Sequence, residues 1–260
     1  MGPPRGDGYH TLRTLMVTLD GLADTVTVER ARERQVRCPG IEGPANLAWR
    51  ALDALERRAG RSAPVRVTID KRIPPEAGLG GGSSDAAAVL VAAATLYRLE
   101  LAPEELEQVA AEVGSDVPFF VRGGAQWAEG RGERLSRARA PGFAALIAVA
   151  RPGLPTAAVY RAFDALPPPP PDDGAPPPRD AAGLSSWVRN DLWPAALALR
   201  PGLGRVARAL RAAGAATTLL CGSGSGVAGI FPDRASAQAA RGRLGQLPVT
   251  ALEVAVHTPA

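Results

Sequence analysis

The chain has 260 residues, of which 46% are hydrophobic and 22% are charged, and its formal net charge is +4. This length and hydrophobic content are sufficient for one large core or two modest ones. No apolar run approaches the roughly 20 residues that span a bilayer, and the N-terminus has no signal-peptide core, so we expect a cytoplasmic protein without a membrane partner. The basic residues are scattered and include a single lysine, Lys71, which argues against a nucleic-acid partner. Cys38 and Cys221 lack metal-ligand spacing and are expected to be free thiols.

The first 70 residues contain three predicted strands and one predicted helix. Alternating apolar residues predict strands at 15–19 and 25–29, and a third strand at 65–69. Asn46 is a predicted N-cap. The helix that it begins has its apolar residues on one face, namely Leu47, Ala48, Ala51, Leu52 and Leu55.

Residues 74–87, Pro-Pro-Glu-Ala-Gly-Leu-Gly-Gly-Gly-Ser-Ser-Asp-Ala-Ala, follow the third strand and precede an Ala-rich run at 86–99 that predicts a helix. The four glycines allow positive φ angles and a close approach of the backbone to a ligand. Ser83 or Ser84 is the expected N-cap of the helix. The free N–H groups and the helix dipole then form an anion site, which predicts a nucleotide-binding loop. The alternative is a tight turn whose glycines serve only close helix packing.

Two familiar nucleotide loops do not fit the glycine-rich segment. A P-loop requires a lysine directly after the glycines, and none is present. A dinucleotide-binding fingerprint requires a third glycine at the position of Ser83. The loop therefore belongs to another class.

Asp116 is the candidate catalytic carboxylate. It follows a predicted helix that begins at Pro103 and ends at Gly114, and it precedes the apolar residues 117–120. Water is scarce beside an apolar run, so the carboxylate can accept a hydroxyl proton and orient the oxygen. The alternative is a turn aspartate that binds its own backbone.

The second half of the chain predicts an α+β layer with an antiparallel sheet. After a strand at 145–150 and a candidate domain boundary at 151–153, the Pro-rich segment 166–179 is expected to be a solvated surface loop rather than a partner-binding motif. The elements that follow are a helix at 204–213, strands at 217–220 and 227–231, a helix at 235–244 and a final strand at 249–256. His257 is expected in an exposed tail.

Several segments, in order along the chain, resemble signature segments of the GHMP small-molecule kinases. They are residues 6–12 (Gly-Asp-Gly-Tyr-His-Thr-Leu), 74–87, 114–120 (Gly-Ser-Asp-Val-Pro-Phe-Phe), 155–160 with 190–192, and 222–226 (Gly-Ser-Gly-Ser-Gly). The resemblance covers almost the whole chain. It implies an α+β protein with the two-lobed GHMP kinase fold, in which an N-terminal ATP-binding domain (1–150) resembles domain 2 of ribosomal protein S5. The C-terminal domain (151–260), which carries the Pro-rich loop 166–179, is expected to be ferredoxin-like.

The resemblance also implies roles for single residues. Asp116 is the implied base or orienter of the accepting hydroxyl. The implied ATP-binding residues are Pro74, Gly78, Leu79, Gly80, Gly81, Gly82, Ser83 and Ser84. The implied substrate-binding residues are Tyr9, His10, Thr156 and Tyr160, where an aromatic face and a neutral imidazole read a cytosine base.

The resemblance implies ATP and Mg²⁺ as cofactors, and two roles near them stay open. Ser83, Ser84 and Asp85 offer oxygen atoms or cap bonds near a hydrated magnesium ion, or Asp85 only complements the helix dipole. Residues 222–226 carry backbone N–H groups to the substrate, or they form only a turn between strands.

The chain departs from the family pattern at its start. Members of the family have an Ala-Lys-Ile/Val-Asn-Leu strand before the segment that corresponds to residues 6–12, and its lysine partners the catalytic aspartate. That strand is missing here, and Lys71 does not replace its lysine because it lies in the lead-in to the glycine-rich segment. We expect either a start site upstream of Met1, which is the favoured explanation, or a relative that binds nucleotides without turning them over.

The family branch that the chain resembles phosphorylates an alcohol carried on cytidine diphosphate. We therefore expect an ATP-dependent kinase with a cytidine diphosphate substrate. The alternatives are a GHMP kinase for another small alcohol, such as homoserine or a mevalonate derivative, and a non-catalytic nucleotide-binding module.

Overall fold

The structure, a computed structural model, describes residues 1–2, 10–150, 152–244, 247, 249 and 251–259, without the side chains of residues 251 and 252. Tyr9 lies outside the described residues. Within them the chain is an α+β protein with three sheets, which confirms the predicted fold class. The described strands are β1 (Leu12–Val17), β2 (Thr25–Arg30), β3 (Gln35–Arg37), β4 (Val65–Asp70), β5 (Ala125–Gly130), β6 (Arg134–Arg137), β7 (Phe143–Val149), β8 (Thr217–Leu220), β9 (Gly226–Phe231) and β10 (Ala251–His257).

The described helices are α1 (Leu47–Ala59), α2 (Gly81–Leu96), α3 (Pro103–Val113), α4 (Val117–Arg122), α5 (Thr156–Asp164), α6 (Leu184–Trp187), α7 (Trp193–Leu199), α8 (Gly202–Ala212) and α9 (Arg234–Arg243). A 3₁₀ turn at Gly43–Ala45 precedes α1. The sequence predictions included α1, α2, α3, α8 and α9, with ends that agree or differ by up to five residues.

The first core lies between the sheet β2-β4-β3 and the helices α1 and α2. Residues of β4 alternate strictly between buried and exposed, so one face of this strand packs against the helices. Asn46 caps α1 as predicted, since its side chain accepts a hydrogen bond from the Ala48 N–H at 2.9 Å. Strands β1, β5 and β6 form a separate antiparallel sheet. The turn between β5 and β6 contains Gly132, where an added Cβ would lie 3.9 Å from Asp116 Oδ1.

The second half of the chain is built on the antiparallel sheet β10-β7-β9-β8. The predicted antiparallel sheet is therefore confirmed, with β10 beginning at Ala251 instead of residue 249. One face of the sheet packs against α5, α7, α8 and α9, and the other face packs against residues from the first half, including Leu22 and Ile73. The two halves thus share a buried surface.

His257 is not in an exposed tail, so that prediction was wrong. Its side chain is 2% exposed, and Nδ1 lies 3.0 Å from the Thr18 carbonyl oxygen. The reason is the register of β10, which pairs His257 with Phe143 and Val256 with Asp20. The strand therefore continues into the first half of the molecule.

The Pro-rich segment is mostly exposed and has no helix or strand across the prolines, as predicted. It is nevertheless held in place. Arg189 donates hydrogen bonds to the carbonyl oxygens of Pro170 at 2.9 Å and Pro171 at 3.3 Å, and Trp187 Nε1 donates to Ala175 at 3.1 Å. The segment therefore lies along the surface with fixed contacts.

Candidate functional site

The glycine-rich segment forms the loop between β4 and α2. Gly80 is the N-cap of α2 in the left-handed conformation, with φ of 68°. The prediction that Ser83 or Ser84 caps the helix was wrong, because the glycines let α2 begin at Gly81 and place both serines inside its first turn. Ser84 Oγ donates to the Gly81 carbonyl oxygen at 2.8 Å, and the Ser84 N–H makes the first helical bond, to Gly80. The N–H groups before Ser84 are those that a helix start leaves free for an anion.

The second glycine motif, residues 222–226, packs directly on this loop. The N–H groups of Ser225 and Gly226 donate to the carbonyl oxygens of Glu76 at 3.0 Å and Ala77 at 3.1 Å. A side chain on Gly78 would place Cβ 1.8 Å from the Cys221 carbonyl oxygen. The motif connects β8 to β9, and it also supports the backbone of the glycine-rich loop.

Asp116 lies at the N-terminus of α4, next to the same loop. Its side chain makes no capping hydrogen bond to the helix, which argues against the alternative of a purely structural turn residue. Phe120, one turn further along α4, covers the loop, since a Cβ on Gly80 would lie 2.7 Å from the Phe120 ring. The Asp116 carboxylate is accessible, yet burial by the protein around it raises its pKa above the ordinary value. An accessible carboxylate with a raised pKa is suited to act as a base.

Helix α5 carries Tyr160. Burial raises the pKa of the Tyr160 hydroxyl, and the negative charge of Asp116 raises it further. The two side chains are therefore close enough to interact electrostatically. Thr156, at the start of α5, shares a hydrogen bond of 2.9 Å with Ser223 of the second glycine motif. Helix α5 is thus connected to the glycine-rich loop.

His10 is buried against α5. Its ring centroid lies 5.6 Å from that of Tyr160 and 5.4 Å from that of Phe163. Nε2 is 2.8 Å from an Asp164 carboxylate oxygen, and Nδ1 is 2.9 Å from the Gly2 carbonyl oxygen. Both ring nitrogens therefore lie at hydrogen-bond distance from an oxygen of the protein.

Asp85 is paired with Lys71 through one carboxylate oxygen, while its other oxygen, Oδ1, is buried without a hydrogen-bond partner among the described residues. Its Oδ2 accepts a hydrogen bond from Lys71 Nζ at 2.8 Å, and the side chain is 5% exposed. Of the two neighbouring serines, Ser84 has its hydroxyl engaged with the Gly81 carbonyl oxygen, which leaves the hydroxyl of Ser83 uncommitted. Nowhere in the described part of the chain do three or more His, Cys, Asp or Glu side chains form a group that could hold a metal ion.

The two cysteines are free thiols, as predicted. Burial raises the pKa of Cys38, and it raises the pKa of Cys221 to about 12, so neither thiol is poised to react at neutral pH. Among the helices that the structure describes, none is long and apolar enough to cross a bilayer.

Comparison with known proteins gives the same family in both halves of the chain. The model of the GHMP kinases N terminal domain matches residues 46–124, and the model of the GHMP kinases C terminal region matches residues 178–248. A 4-diphosphocytidyl-2-C-methyl-D-erythritol kinase of Anaeromyxobacter sp. (strain K) is 45% identical over 92% of this chain and 79% of that protein. The kinase of the same name from Moorella thermoacetica is 39% identical over 92% of this chain and 88% of its own length.

Solved structures agree with the sequence relatives. A crystal structure of 4-(cytidine 5'-diphospho)-2C-methyl-D-erythritol kinase has a TM-score of 0.78 at 35% identity and covers 98% of this chain and 93% of that one. A homoserine kinase from Cytophaga hutchinsonii shares the fold, with a TM-score of 0.70 at 17% identity over 94% of this chain and 89% of that one. The chain belongs to the GHMP kinase family and is an ATP-dependent small-molecule kinase.

Proposed function

We propose that this kinase transfers the γ-phosphate of ATP to the 2-hydroxyl of 4-diphosphocytidyl-2-C-methyl-D-erythritol, in the non-mevalonate route to isoprenoid precursors. The observation that carries the proposal is the position of Asp116. Its helix packs on the glycine-rich loop through Phe120, and its negative charge raises the pKa of Tyr160. These contacts support a proposal in which the loop holds phosphates, Asp116 is the base and Tyr160 contacts a nucleobase, in a chain that is 45% identical to a kinase of that name.

Phosphoryl transfer needs phosphates held in place, compensated charge and an accepting hydroxyl aligned with the γ-phosphate. In our proposal residues 1–150 bind ATP through the glycine-rich loop. Its proposed contacts are Pro74, Gly78, Leu79, Gly80, Gly81, Gly82, Ser83 and Ser84. Mg²⁺ arrives with the nucleotide, and a magnesium ion that keeps several waters and is bound mainly by phosphates needs few protein ligands. Ser83, whose hydroxyl is the uncommitted one, fits that requirement.

The domain of residues 151–260 contributes Tyr160 and Thr156 to the alcohol substrate. Tyr160 stacks on the cytosine ring, and Tyr9 and His10 complete the cytidine site in this proposal. With both ring nitrogens already paired, His10 contacts the base through its ring face, or it exchanges one partner for the base. Thr156, linked to Ser223, lies beside the second glycine motif. We place the reaction in the cytoplasm, where ATP is available.

Asp116 is the proposed catalytic base. Its raised pKa favours uptake of the hydroxyl proton as the oxygen attacks phosphorus, and ADP leaves on the opposite side. In this arrangement the carboxylate orients the accepting oxygen throughout.

The test measures release of ADP by the protein expressed from its complete reading frame, in the presence of ATP and Mg²⁺. The alcohol is the cytidine diphosphate substrate, homoserine or mevalonate, each supplied separately. Release with the cytidine diphosphate substrate, inhibited competitively by cytidine diphosphate, is the expected result. Turnover of homoserine or mevalonate in its place would overturn the substrate assignment. ADP binding without turnover of any alcohol would identify a nucleotide-binding module.

Tyr160 offers a matched pair of variants for the cytidine site. Tyr160→Ala removes the ring, and we expect KM for the cytidine substrate to rise roughly tenfold or more, since stacking on a base contributes about 1–3 kcal/mol. Tyr160→Phe keeps the ring and should keep KM. An effect of Tyr160→Ala confined to KM for ATP would contradict the placement.

A further inference from the structure

Asp24, Lys71 and Asp85 form a buried cluster of charges beside the glycine-rich loop. Lys71 Nζ donates to Asp24 Oδ2 and, at 2.8 Å, to Asp85 Oδ2. The side chains of Asp24 and Asp85 are 2% and 5% exposed, and Lys71 is also mostly covered. Asp24 lies just before β2, and Lys71 just after β4, so the contact joins segments 47 residues apart.

Asp24 also binds the backbone at the start of the loop. Its Oδ1 accepts hydrogen bonds from the N–H groups of Arg72 at 2.6 Å and Ile73 at 2.8 Å. At the other end of the loop, Asp85 lies in α2, just beyond its first turn. The cluster therefore contacts the chain on both sides of residues 74–80 and connects these two points through a single ammonium group.

The electrostatics show that Asp24 and Lys71 stabilise each other's charged forms. Burial alone would raise the pKa of Asp24, but the hydrogen bonds from Lys71, Ile73 and Arg72 outweigh it and lower the pKa. Burial alone would lower the pKa of Lys71, and the two carboxylates raise it instead. Burial of three charges costs several kcal/mol before any pairing, and well-packed apolar side chains would often give equal or greater stability. Stability alone therefore does not account for this cluster.

We propose that Asp24 and Lys71 are positioning residues of the ATP site. They hold the loop entry and the start of α2 at a fixed separation, so that the free N–H groups at Gly81 and its neighbours are already arranged for the nucleotide phosphates. Lys71 Nζ would lie 3.2 Å from a Cβ on Gly81, which places the ammonium directly behind that turn. The role rests on the ATP-binding part of the proposed function and is independent of the alcohol substrate.

The experiment compares nucleotide and cytidine affinities in variants of the full-length protein. Asp24→Asn and Lys71→Gln remove one charge each. Lys71→Arg keeps the positive charge and has N–H groups that can donate to both Asp24 and Asp85. Asp70→Asn is the matched control, because Asp70 is adjacent to Lys71 but exposed at the end of β4. Dissociation constants for ADP and for cytidine diphosphate are measured by calorimetry, together with KM for ATP, kcat and the unfolding midpoint.

We expect the Kd for ADP and the KM for ATP to rise roughly tenfold or more in Asp24→Asn and Lys71→Gln, because loss of preorganisation weakens binding. The Kd for cytidine diphosphate and kcat at saturating ATP should stay within twofold of the unmodified protein. Lys71→Arg should restore most of the ADP affinity, and Asp70→Asn should leave it unchanged. A general loss of stability would weaken the binding of both nucleotides, so it does not predict a loss of ADP affinity alone.

Two outcomes would overturn the proposal. One is an ADP affinity within twofold of the unmodified protein in folded Asp24→Asn and Lys71→Gln. The other is an equal loss of ADP and cytidine diphosphate affinity. ADP binding is measured without the alcohol. The ADP affinities of the variants can therefore be interpreted even if the proposed alcohol substrate is wrong.

Hydrogen exchange of the unmodified protein tests the same idea without a variant. A preformed loop entry predicts that the Arg72 and Ile73 amides are protected equally with and without ADP. Protection that appears only on addition of ADP would contradict preorganisation by the cluster.

Discussion

Arg13 and Asp172 join the two halves of the molecule across 159 positions of sequence. The Arg13 Nη1 donates to a carboxylate oxygen of Asp172 at 2.8 Å. The same guanidinium lies 3.8 Å above the ring of Trp127, which in turn makes an edge contact with Trp187 at 6.1 Å between centroids. Since Trp187 also donates a hydrogen bond to the Ala175 carbonyl oxygen, the exposed Pro-rich segment connects residues from both halves of the chain. We call this set of contacts the brace.

Removing the guanidinium should weaken this brace by a modest amount. We expect Arg13→Ala to lower the free energy of unfolding by about 1 kcal/mol, because it loses a cation–π contact and an exposed ion pair. Asp172→Asn should lose less than about 1 kcal/mol, since both members of the pair are partly exposed. Urea unfolding monitored by tryptophan fluorescence measures both, and the double variant isolates the coupling. A coupling of zero would mean that the ion pair contributes nothing.

Asp116→Asn should lower kcat roughly 10²- to 10⁴-fold while the Kd for ADP stays unchanged, because the amide keeps the shape of the side chain and cannot accept the proton. In the unmodified enzyme, kcat/KM should rise with pH through the raised pKa of Asp116, above the range of an ordinary aspartate. The residual kcat/KM of Asp116→Asn should not show this rise with pH. The measurement is the pH profile of both enzymes, and turnover by Asp116→Asn equal to the unmodified enzyme would refute the role.

The pH dependence of stability should report on Asp85. Burial raises the pKa of Asp85 to about 6, from 3.8 in the unfolded chain, so the folded state disfavours its charged form. As the pH falls from 7 to 4, protonation relieves this cost, and the protein should gain stability relative to Asp85→Asn by up to about 3 kcal/mol. The lowered pKa of Asp24 has the opposite effect, a loss of stability as the pH falls, and this effect lies below the range of pH 4 to 7. Thermal unfolding of both proteins between pH 4 and 7 measures the difference, and parallel curves would contradict the assignment.

Gly78→Ala tests the contact between the two glycine motifs. Gly78 has φ of 72°, and its added Cβ would collide with the Cys221 carbonyl oxygen. Gly40→Ala is the matched control, with φ of 85° and no atom within 4 Å of the added Cβ. We expect Gly40→Ala to cost about 1 kcal/mol, from the backbone conformation alone.

Gly78→Ala should cost roughly 2–4 kcal/mol, because overpacking adds to the same conformational cost, and it should weaken ADP binding. Urea unfolding and ADP calorimetry compare the two variants. Equal losses of stability would show that the loop moves aside without strain.

Local signals predicted the elements that carry the site. Asn46 as a cap, the alternation of β4 and the Pro103–Gly114 helix all follow from residues that interact within one turn or one strand. The glycine pattern predicted a loop between β4 and α2 correctly but misplaced the start of the helix, because three consecutive glycines weaken any estimate of where helical dihedrals begin.

Contacts between distant segments could not be predicted from the sequence. Asp24 was not identified at all, because an isolated aspartate before a strand resembles any exposed turn residue until β2 and β4 pair. The burial of His257 likewise depends on the register of β10 against β7. The candidate site residues of the second half rest on resemblance to the family, and their packing against the first half became visible only in the fold.

The contact of Gly78 with Cys221 has a consequence for how these positions vary among relatives. The obstacle to a side chain at position 78 is a main-chain oxygen, which every residue type at position 221 possesses. No replacement at 221 can therefore compensate for a replacement at 78. In an alignment of related kinases, glycine should be fixed at position 78 on its own, and pairwise covariation between 78 and 221 should be absent even though the two residues touch.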